Sequence, residues 1–255
     1  MQELRLFAVP ASDRGRVTNM NEALDLYLRV REKEGRLYSD DIVRQFPEVP
    51  INHPLRAEWQ ARSASCRRLT MYLARLHKQI AVLDMGCGNG WLANSIAATT
   101  DSSVVGLDLN RYELQQARRL FAQRTSLSWI VTDIFSAPFR GAAFDVVVIA
   151  SAIQYFADLP GTLRKLVPFL KAQGEIHILD SPLYSIDELP AAQERSRQYY
   201  SRLGFPEMAA HYHHHSAAGL AEYNPSWLYV PQRPHAHGTA INDSPFPWVR
   251  LRPVL

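Results

Sequence analysis

The middle of the chain alternates short apolar runs with segments of helical length, and this alternation constrains the fold more than any other feature. Strands that alternate with helices form parallel sheets whose faces the helices cover. The sequence therefore predicts an α/β fold built on a doubly wound, mostly parallel sheet. The five runs, which lie between Ile80 and Asp180, are IAVLDM, VVGLDL, LSWIVTD, FDVVVIAS and GEIHILD.

The region before the predicted sheet shows helical patterns only. Pro47, Pro50 and Pro54 punctuate these patterns and mark breaks between helices. The sequence therefore predicts an N-terminal helical cap over residues 1–78 and a main domain over residues 79–255. The predicted cap helices cover residues 19–35, 39–45 and 55–77.

Local signals predict further element boundaries. After the fifth run, the pattern predicts a helix over 186–203 and short strands over 227–230 and 248–251. The helix after VVGLDL is predicted to begin at Asn110, and Glu113 follows three residues later. This pair resembles a capping box in which Asn is the N-cap residue.

Composition excludes some classes of function. The 47% hydrophobic and 21% charged content is ordinary for a globular protein, and no run approaches the roughly 18 apolar residues of a membrane span. The net charge is only +3, whereas nucleic-acid binders usually concentrate Lys and Arg on one surface. We therefore expect no membrane span and no nucleic-acid partner, and the oligomeric state stays open.

Two features predict a cytoplasmic location. The N-terminal residues include Glu3 and contain no apolar block long enough for a secretory signal. Cys66 and Cys87 have neither the spacing of a disulfide framework nor that of a metal site. Reduced thiols in a cytoplasm are the simplest account of them.

The segment VLDMGCGNG joins the first predicted strand to the next helix. It places Asp84 at the end of the strand and then Gly86, Gly88 and Gly90 in the turn. Glycine permits positive φ and lets a ligand approach the backbone closely, as a cofactor-binding turn requires. A nicotinamide-binding loop would have its third glycine one position later, where this chain has Trp91. The spacing therefore favours a different nucleotide-like ligand.

Acids and a hydroxyl follow the later strands in order. Asp108 ends the second run, 20 residues after Gly88, Asp133 follows the third, and Ser151 follows the fourth. With the glycine loop, this set resembles the class I S-adenosylmethionine-dependent methyltransferases, and the chain's ends loosely resemble their small-molecule, type 11-like branch. The resemblance covers about residues 79–185. It implies a seven-stranded, Rossmann-like sheet whose last strand is antiparallel.

The resemblance implies S-adenosylmethionine as the cofactor and assigns its contacts. An acid at the position of Asp108 binds the ribose hydroxyls in that family, and one at Asp133 lies near the adenine amino group. The alternative is that these acids are turn residues and helix caps, and Cys87 is a small residue tolerated in the loop. The implied cofactor-binding set in the main domain comprises Asp84, Gly86, Cys87, Gly88, Gly90, Asp108, Leu109, Asp133, Ile134 and Ser151.

The predicted helix over 55–77 carries one unexpected charge. Arg62 falls in the middle of a narrow apolar stripe when residues are placed 100° apart. A guanidinium on a buried stripe needs an anion or several acceptors, because an unpaired buried charge costs several kcal/mol. We expect Arg62 either to bind the carboxylate of the cofactor or to pair with a protein acid. The stripe is formed by Leu55, Trp59, Cys66, Leu69 and Leu73.

Candidate catalytic residues follow the fourth strand and lie in the histidine-rich segment. Tyr155, together with Gln154, occupies a loop that faces the methyl group in related enzymes, although either residue could instead pack under the next helix. His213 and His214 are candidates for a general base, since imidazole accepts a proton near neutral pH. Surface or structural histidines are the alternative. His211 and His215 would be one turn apart in a helix, but no Cys or acid completes a set, so we expect no metal.

The expected function is transfer of a methyl group to a small or medium organic acceptor, possibly at oxygen. The segment after the fourth strand lacks the Asn/Asp-Pro-Pro-aromatic tetrad of methyltransferases that act on nucleobase or amide nitrogens. Aromatic residues between Tyr184 and Tyr229 predict an apolar or aromatic acceptor enclosed between that segment and the cap. Two alternatives remain, a catalytically silent S-adenosylmethionine-binding partner subunit and an RNA methyltransferase.

Overall fold

The computed structural model describes residues 14–76, 79–231 and 243–253. Its described part contains a seven-stranded sheet with the order β3-β2-β1-β4-β5-β7-β6. The first five strands are parallel, β7 is antiparallel to β5, and β6 is antiparallel to β7. The predicted sheet is therefore confirmed. Its strands are β1 (Ile80–Met85), β2 (Ser102–Asp108), β3 (Leu127–Val131), β4 (Phe144–Ala150), β5 (Leu170–Leu179), β6 (Ser226–Tyr229) and β7 (Trp248–Leu251).

The helices follow the predicted pattern, with shifted ends. The helix predicted over 186–203 begins as a 3-10 turn over Ile186–Glu188 and becomes α-helical at Leu189. Pro190 lies in the first turn of the α-helical part, where its missing N–H costs no hydrogen bond. The α-helices are α1 (Arg14–Lys33), α2 (Asp40–Val43), α3 (Arg56–Ala74), α4 (Trp91–Thr99), α5 (Arg111–Leu120), α6 (Leu159–Leu166) and α7 (Leu189–Leu203).

The sheet buries both of its faces. Successive strand residues point to opposite sides, and Leu83 accordingly packs with Leu163 of α6 on one face, in a core that also contains Ile149. Val82 lies in the core of the other face, together with Leu69 of α3 and Ile96 of α4. These residues are buried on both faces of the sheet, so helices cover both faces. This is the doubly wound architecture that the apolar runs predict.

Helix α3 buries the stripe that the sequence predicts. Trp59, Cys66, Leu69 and Leu73 are buried, and Leu55 packs partly buried at the start of the helix. These residues share a core with β1 and α4, so α3 rests directly on the sheet. The division between residues 1–78 and 79–255 stays a prediction.

The start of α5 differs in one detail from the predicted capping box. The side-chain oxygen of Asn110 accepts from the backbone N–H groups of Tyr112 and Glu113, at 3.2 and 3.3 Å, which confirms Asn110 as the N-cap. The carboxylate of Glu113, however, accepts from the side-chain amide of Asn110, at 2.7 Å. The backbone N–H of Asn110 donates instead to Asp108, also at 2.7 Å. The Glu113 carboxylate is thus left beside the glycine loop.

A buried polar network joins β5 to β7 away from the glycine loop. The Glu175 carboxylate accepts hydrogen bonds from Tyr72 Oη at 2.7 Å and from Arg252 Nε at 2.8 Å. His177 Nε2 lies 3.1 Å from the same carboxylate, and Trp248 Nε1 donates to His177 Nδ1 at 3.0 Å. His177 therefore acts as a neutral imidazole that carries its proton on Nε2.

This network predicts a loss of stability in acid. Burial acts to raise the pKa of Glu175, but hydrogen bonds from His177, Tyr72 and Arg252 hold it at about 2, below the ordinary 4.5. The ionised carboxylate therefore stabilises the fold above pH 4.5, and that contribution, on the order of 3 kcal/mol, is lost as the pH falls towards 2. Burial lowers the pKa of His177, so the neutral imidazole stabilises the fold above pH 6.5. This stabilisation is also lost as the pH falls below 6.5.

We expect the free energy of unfolding, measured in urea between pH 7 and pH 3, to fall less steeply in the Glu175→Gln variant than in the natural protein. Its value at pH 7 should be lower, since the buried carboxylate that Tyr72, His177 and Arg252 contact is replaced by an uncharged amide. Glu222→Gln, at an exposed position, is the matched control. Parallel pH profiles for all three proteins would contradict the assignment of acid sensitivity to Glu175.

Candidate functional site

A cavity of about 330 Å³ lies at the carboxyl ends of β1, β2 and β4. The strand order reverses there, because β1 lies between β2 on one side and β4 on the other. Open α/β sheets bind ligands at such a point, outside the carboxyl ends of the strands. Helices α1 and α3 and the segment over 206–213 complete the wall. The cap and the C-terminal part therefore enclose the end of the sheet.

The glycine loop closes tightly against the strand ends. Gly86 has a φ of +75°, and a Cβ added there would lie 2.7 Å from the Cβ of Ala152. Gly88 has a φ of +52°, and its N–H donates to Asp108 at 2.7 Å. Only glycine fits both the backbone conformation and the close approach at Gly86. The loop thus presents bare backbone to the cavity.

Asp84 is the most buried acid of the cavity wall. Its side chain is 1% exposed, and its Oδ2 has no hydrogen-bond partner among the described residues. Burial and the neighbouring charge of Asp108 raise the pKa of Asp84 to about 7. A buried acceptor without a donor is costly, so this oxygen fits a ligand that brings an N–H or a positive charge.

Asp108 lies next to Asp84 at the end of β2. Its Oδ2 accepts from Gly88 N–H and its Oδ1 from Asn110 N–H, both at 2.7 Å. Burial raises the pKa of Asp108, and these backbone hydrogen bonds oppose the rise. A carboxylate has about four acceptor positions, so two bonds leave room for a ligand with two hydroxyls.

A third acid, Glu113, joins this group. Its Oε2 would lie 3.5 Å from a Cβ placed on Gly88, so the carboxylate is beside the glycine loop. Burial and the charge of Asp108 raise the pKa of Glu113 to about 7. The strand-end side of the cavity therefore holds three close carboxyl groups that resist ionising together, and a ligand that carries positive charge would favour their ionised forms.

Other predicted contacts also line the cavity. Leu109 is 39% exposed, Ile134 is buried, and both apolar side chains belong to residues that line the cavity. Asp133 lines the wall and accepts from Phe135 N–H at 2.6 Å, so it is a turn residue as well as a candidate contact. Cys87 is buried in the wall, and burial raises the pKa of its thiol. A protonated, buried thiol fits a small loop residue better than a nucleophile.

Ser151 combines a wall position with an unusual backbone. It has a φ of +52°, which is rare for a residue other than glycine. Its hydroxyl donates to the carbonyl of Asp180 at 2.9 Å, which ties the end of β4 to the end of β5. The hydrogen bond holds the turn in this conformation, and the backbone of Ser151 faces the cavity.

Two of the predicted site residues lie outside the cavity wall. Gly90 begins α4 with a φ of +76°, and an added Cβ would lie 2.3 Å from the ring of Trp129. The close packing against Trp129 and the positive φ explain why position 90 is a glycine. His214 is hydrogen-bonded to Ser196 at 2.9 Å and packs against Tyr184. The structure therefore gives both residues structural contacts, and the wall does not include them.

Arg62 lies in the cavity wall and is also paired with an acid. Its Nε donates to Glu58 Oε1 at 3.1 Å, and Arg36 binds both oxygens of the same carboxylate at 2.6 Å. All three residues line the cavity. Burial acts to raise the pKa of Glu58, but the two arginines hold it at about 2. Glu58 is therefore ionised, and two cations share its single charge.

The other end of the cavity holds tyrosines, histidines and an arginine. Tyr155 Oη accepts from Arg31 at 3.1 Å, and its ring meets that of Tyr27 edge-on, with centroids 5.4 Å apart. His211 and His213 line the same wall. Burial and neighbouring histidines lower the pKa of His213, so it is neutral near pH 7. Of the three predicted catalytic residues, Tyr155 and His213 reach the cavity.

Gln154 and His215 have structural roles. The side-chain amide of Gln154 donates to the carbonyl of Ser151 at 2.7 Å, and the residue is buried. His215 Nε2 lies 2.9 Å from the carbonyl of Ile153, also in a buried position. In the described ranges, no group of three or more His, Cys, Asp or Glu side chains is arranged to hold a metal ion.

Sequence reasoning missed several wall residues, both in the cap and in the main domain. Leu24, Tyr27 and Arg31 are spaced three and four residues apart on α1, so they share one face. Such spacing marks a face but does not say what it covers. Glu58 precedes Arg62 by four residues, a spacing that signals an ion pair. The other missed residues of the wall include Arg36, Tyr38, Trp59, Asn110, Glu113, Phe156, Met208 and His211.

None of the described helices is both long enough and apolar enough to cross a membrane.

Comparison with known proteins adds a family match in the middle of the chain. Residues 82–174 match a family described as a methyltransferase domain. The sterol 24-C-methyltransferase of Aspergillus fumigatus is 34% identical over 110 residues, which are 40% of this chain and 29% of that protein. The chain thus spans less than a third of that relative.

Two further proteins match over more of their length. The 2-phytyl-1,4-naphtoquinone methyltransferase of Thermosynechococcus vestitus is 29% identical over 174 residues, 63% of this chain and 73% of that protein. The crystal structure of the YcgJ protein from Bacillus subtilis superposes with a TM-score of 0.53 at 19% identity, over 65% of this chain and 70% of that one. The structural likeness supports the fold.

Proposed function

We propose that this chain, which belongs to the class I S-adenosylmethionine-dependent methyltransferases of the type 11-like branch, transfers the donor's methyl group to a small or medium organic acceptor. The family match extends over 82–174 and contains the glycine loop and Asp108. S-adenosylmethionine is the proposed cofactor. The activity of the whole chain and the chemical class of its acceptor are part of the proposal.

One observation carries the proposal. The unpartnered Oδ2 of Asp84 lies in a cavity wall that also holds the carboxyl groups of Asp108 and Glu113. S-adenosylmethionine carries an ammonium group, a sulfonium centre and two ribose hydroxyls. These groups match an unfilled acceptor, a cluster of carboxyl groups that a positive charge would ionise, and a carboxylate with spare acceptor capacity. The residues present therefore fit the proposed cofactor.

Bound S-adenosylmethionine would supply an electrophilic methyl group, which an oxygen, nitrogen or carbon atom of the acceptor attacks in line. The protein's own contribution is chiefly to hold the two reactants in the required geometry. Asp108 would orient the ribose, and the backbone of Gly86 and Gly88 would hold the chain of the methionine portion. Leu109 and Ile134 would offer apolar contacts to the adenine, next to Asp133.

The acceptor is proposed to lie between α1 and the segment over 206–213. This end of the cavity is lined by Tyr27, Tyr155, Met208 and His213, a mixture of ring faces, an apolar side chain and hydrogen-bonding groups. Enclosing the reactants there would exclude water and strengthen polar contacts around the reacting atoms. The acceptor end proposed from the sequence, between the cap and the segment from Tyr184 to Tyr229, includes this region.

Replacing His213 with Asn should lower the rate if its imidazole takes a proton from the acceptor. The deficit should be largest near neutral pH and about a hundredfold or more, since general bases contribute 10²- to 10⁴-fold. His214→Asn is the matched control, because His214 bonds to Ser196 outside the cavity wall. That variant should lose thermal stability and keep its pH profile. Full activity in both variants would exclude His213 and His214 as the base, which would then have to be sought elsewhere or abandoned.

Replacing Arg62 with Lys should weaken binding of the donor about tenfold without unfolding the protein, because Lys cannot present two parallel N–H groups to a carboxylate. Arg62 shares Glu58 with Arg36, so it retains donors for the carboxylate of the methionine portion. Calorimetry with S-adenosylmethionine measures the change. Arg67→Lys, at an exposed position on the same helix, is the control, and equal affinities in the two variants would contradict the assignment.

The decisive experiment on function uses methyl-labelled S-adenosylmethionine and fractionated metabolite and RNA extracts, with mass spectrometry of the products. A labelled small molecule together with S-adenosylhomocysteine supports the proposal. Label in RNA would favour an RNA methyltransferase, and donor binding without turnover in any fraction would favour a silent partner subunit. The cytoplasmic location and the independence from nucleic acid stay predictions.

A further inference from the structure

Arg31 provides a fixed positive charge at the acceptor end of the cavity. It is on the α1 face that lines the wall. Its Nη2 donates to Tyr155 Oη at 3.1 Å, and its guanidinium carbon lies 4.9 Å from the centroid of the Tyr27 ring. The side chain is 21% exposed. A guanidinium has five N–H donors, so these contacts leave donors for a ligand.

The charge of Arg31 is only partly neutralised by the protein. Its ion pair is with Glu34, at 3.2 Å, and Arg36 lies 3.3 Å from the same carboxylate oxygen. Glu34 also accepts from the hydroxyl of Tyr199. Arg36 and Arg62 in turn share Glu58. Three guanidiniums therefore share two carboxylates, and Arg31 is the one without a contact to Glu58.

The groups around Arg31 do not supply the missing charge. Burial raises the pKa of Tyr27 and lowers the pKa of His213, so both are neutral near pH 7. Glu113 also interacts electrostatically with Arg31, but burial and the charge of Asp108 raise its pKa to about 7, so near pH 7 it carries only part of a negative charge. Burial acts to lower the pKa of Arg31, but its contacts with the tyrosines and Glu34 raise it overall. Arg31 therefore stays charged, and the neighbouring acids neutralise it only in part.

The remaining surface near Arg31 is apolar. Leu24, Phe156 and Met208 line this wall, together with the ring of Tyr27. An apolar surface with one half-neutralised cation fits an organic anion better than a neutral molecule, because an anion placed there completes the charge balance. A single guanidinium suits a monoanion with two coplanar oxygens, since its N–H groups form a planar fork.

We propose that the methyl acceptor carries a carboxylate on an apolar or aromatic body, and that Arg31 is the residue that selects for this group. The inference rests on the proposed function, and it specifies the substrate class for the same cavity. Arg31 binds the carboxylate, and the apolar wall packs against the body of the molecule. The atom that receives the methyl group is then a different atom of the acceptor, held near Tyr155 and His213.

The test compares carboxylates with their uncharged amides. The protein is first saturated with S-adenosylhomocysteine, and calorimetry then measures the binding of benzoate, 2-naphthoate and decanoate and of the three corresponding amides. We expect at least one carboxylate to bind about tenfold or more tightly than its amide, as a charge-assisted hydrogen bond predicts. Equal affinity, or no binding, for all three pairs would overturn the inference.

Variants of Arg31 assign the preference to this residue. Arg31→Gln should bring the carboxylate-to-amide ratio close to one, and Arg31→Lys should leave part of it, because Lys keeps the charge and the pairing with Glu34. Arg29→Gln is the matched control, since Arg29 is on the same helix and contacts Phe205 outside the cavity. A ratio unchanged in both Arg31 variants would contradict the proposal, whereas a purely structural role would lower both affinities together.

The design separates this inference from the proposed function. If S-adenosylhomocysteine itself does not bind to the natural protein, the proposed function fails before any acceptor is added. If it binds and the carboxylates show no advantage, the methyl-transfer proposal stands and the carboxylate preference is wrong. Circular dichroism of each Arg31 variant shows whether it is folded, and Arg31→Lys retains an ion-pair partner for Glu34 if Arg31→Gln is unstable.

Discussion

Replacing Asp108 with Ala is expected to weaken the binding of S-adenosylmethionine by roughly a hundredfold or more, measured by calorimetry. The proposed contacts are hydrogen bonds from the two ribose hydroxyls to a carboxylate, and each such bond to a charged group contributes about 1.5–3 kcal/mol. The same carboxylate fixes the glycine loop, because it accepts the N–H of Gly88 at 2.7 Å. Its loss therefore removes a ligand contact and loosens the loop.

The control for this prediction is Asp101→Ala. Asp101 is an exposed acid just before β2, at the end of the strand far from Asp108, so its removal should leave donor affinity unchanged. Asp108→Asn is a second variant, since it keeps one oxygen acceptor for backbone N–H groups and loses the charge. A folded Asp108→Ala protein with natural affinity would show that the acid at the end of β2 does not bind the donor.

Replacing Gly90 with Ala is expected to destabilise the whole domain, with no specific effect on donor binding. An added Cβ would lie 2.3 Å from the Trp129 ring and 2.9 Å from the Cβ of Ala117, while the backbone has a φ of +76°. Overpacking of this kind costs about 1–3 kcal/mol, and a positive φ adds about 1–2 kcal/mol. The free energy of unfolding measured in urea should therefore fall by about 2–5 kcal/mol, which is the sum of these two costs.

Gly204→Ala separates the two costs. Gly204 has a φ of +91°, and an added Cβ there would meet nothing within 4 Å. This variant should lose only the part due to backbone strain, about 1–2 kcal/mol. Equal losses at Gly90 and Gly204 would show that Trp129 moves aside and that packing does not explain the glycine. Weakened donor binding in a stable Gly90→Ala protein would return Gly90 to the binding site.

The strands, their mostly parallel arrangement and the strand-end acids could be predicted because they depend on local sequence. Alternating apolar runs decide which segments become strands, and parallel strands bring their carboxyl ends to one edge. Asp84 and Asp108 therefore had to lie near each other. The buried stripe of α3 followed from helical periodicity alone, apart from Leu55 at its start, which is only partly buried.

The rest of the site depends on contacts between distant parts of the chain. Gly90 belongs to the same run of glycines as Gly86, yet it packs on Trp129, which comes from β3. Adjacent histidines have opposite roles because the segment around them is irregular, so no period tells which side chain faces the cavity. The spacing of Leu24, Tyr27 and Arg31 indicates one face of α1, but it does not indicate that this face lines the cavity.

Helix α3 shares one hydrophobic core with β1 and α4, so the cap and the sheet do not have separate cores. Exchangeable domains have cores of their own and could in principle fold alone, but removing α3 would uncover Val82 and Ile96, which it helps to bury. We therefore expect that grafting the cap onto a different sheet would disrupt this core. If the proposed acceptor site is correct, new acceptor preferences should arise by side-chain replacement on α1 and the 206–213 segment, with α3 retained as part of the scaffold.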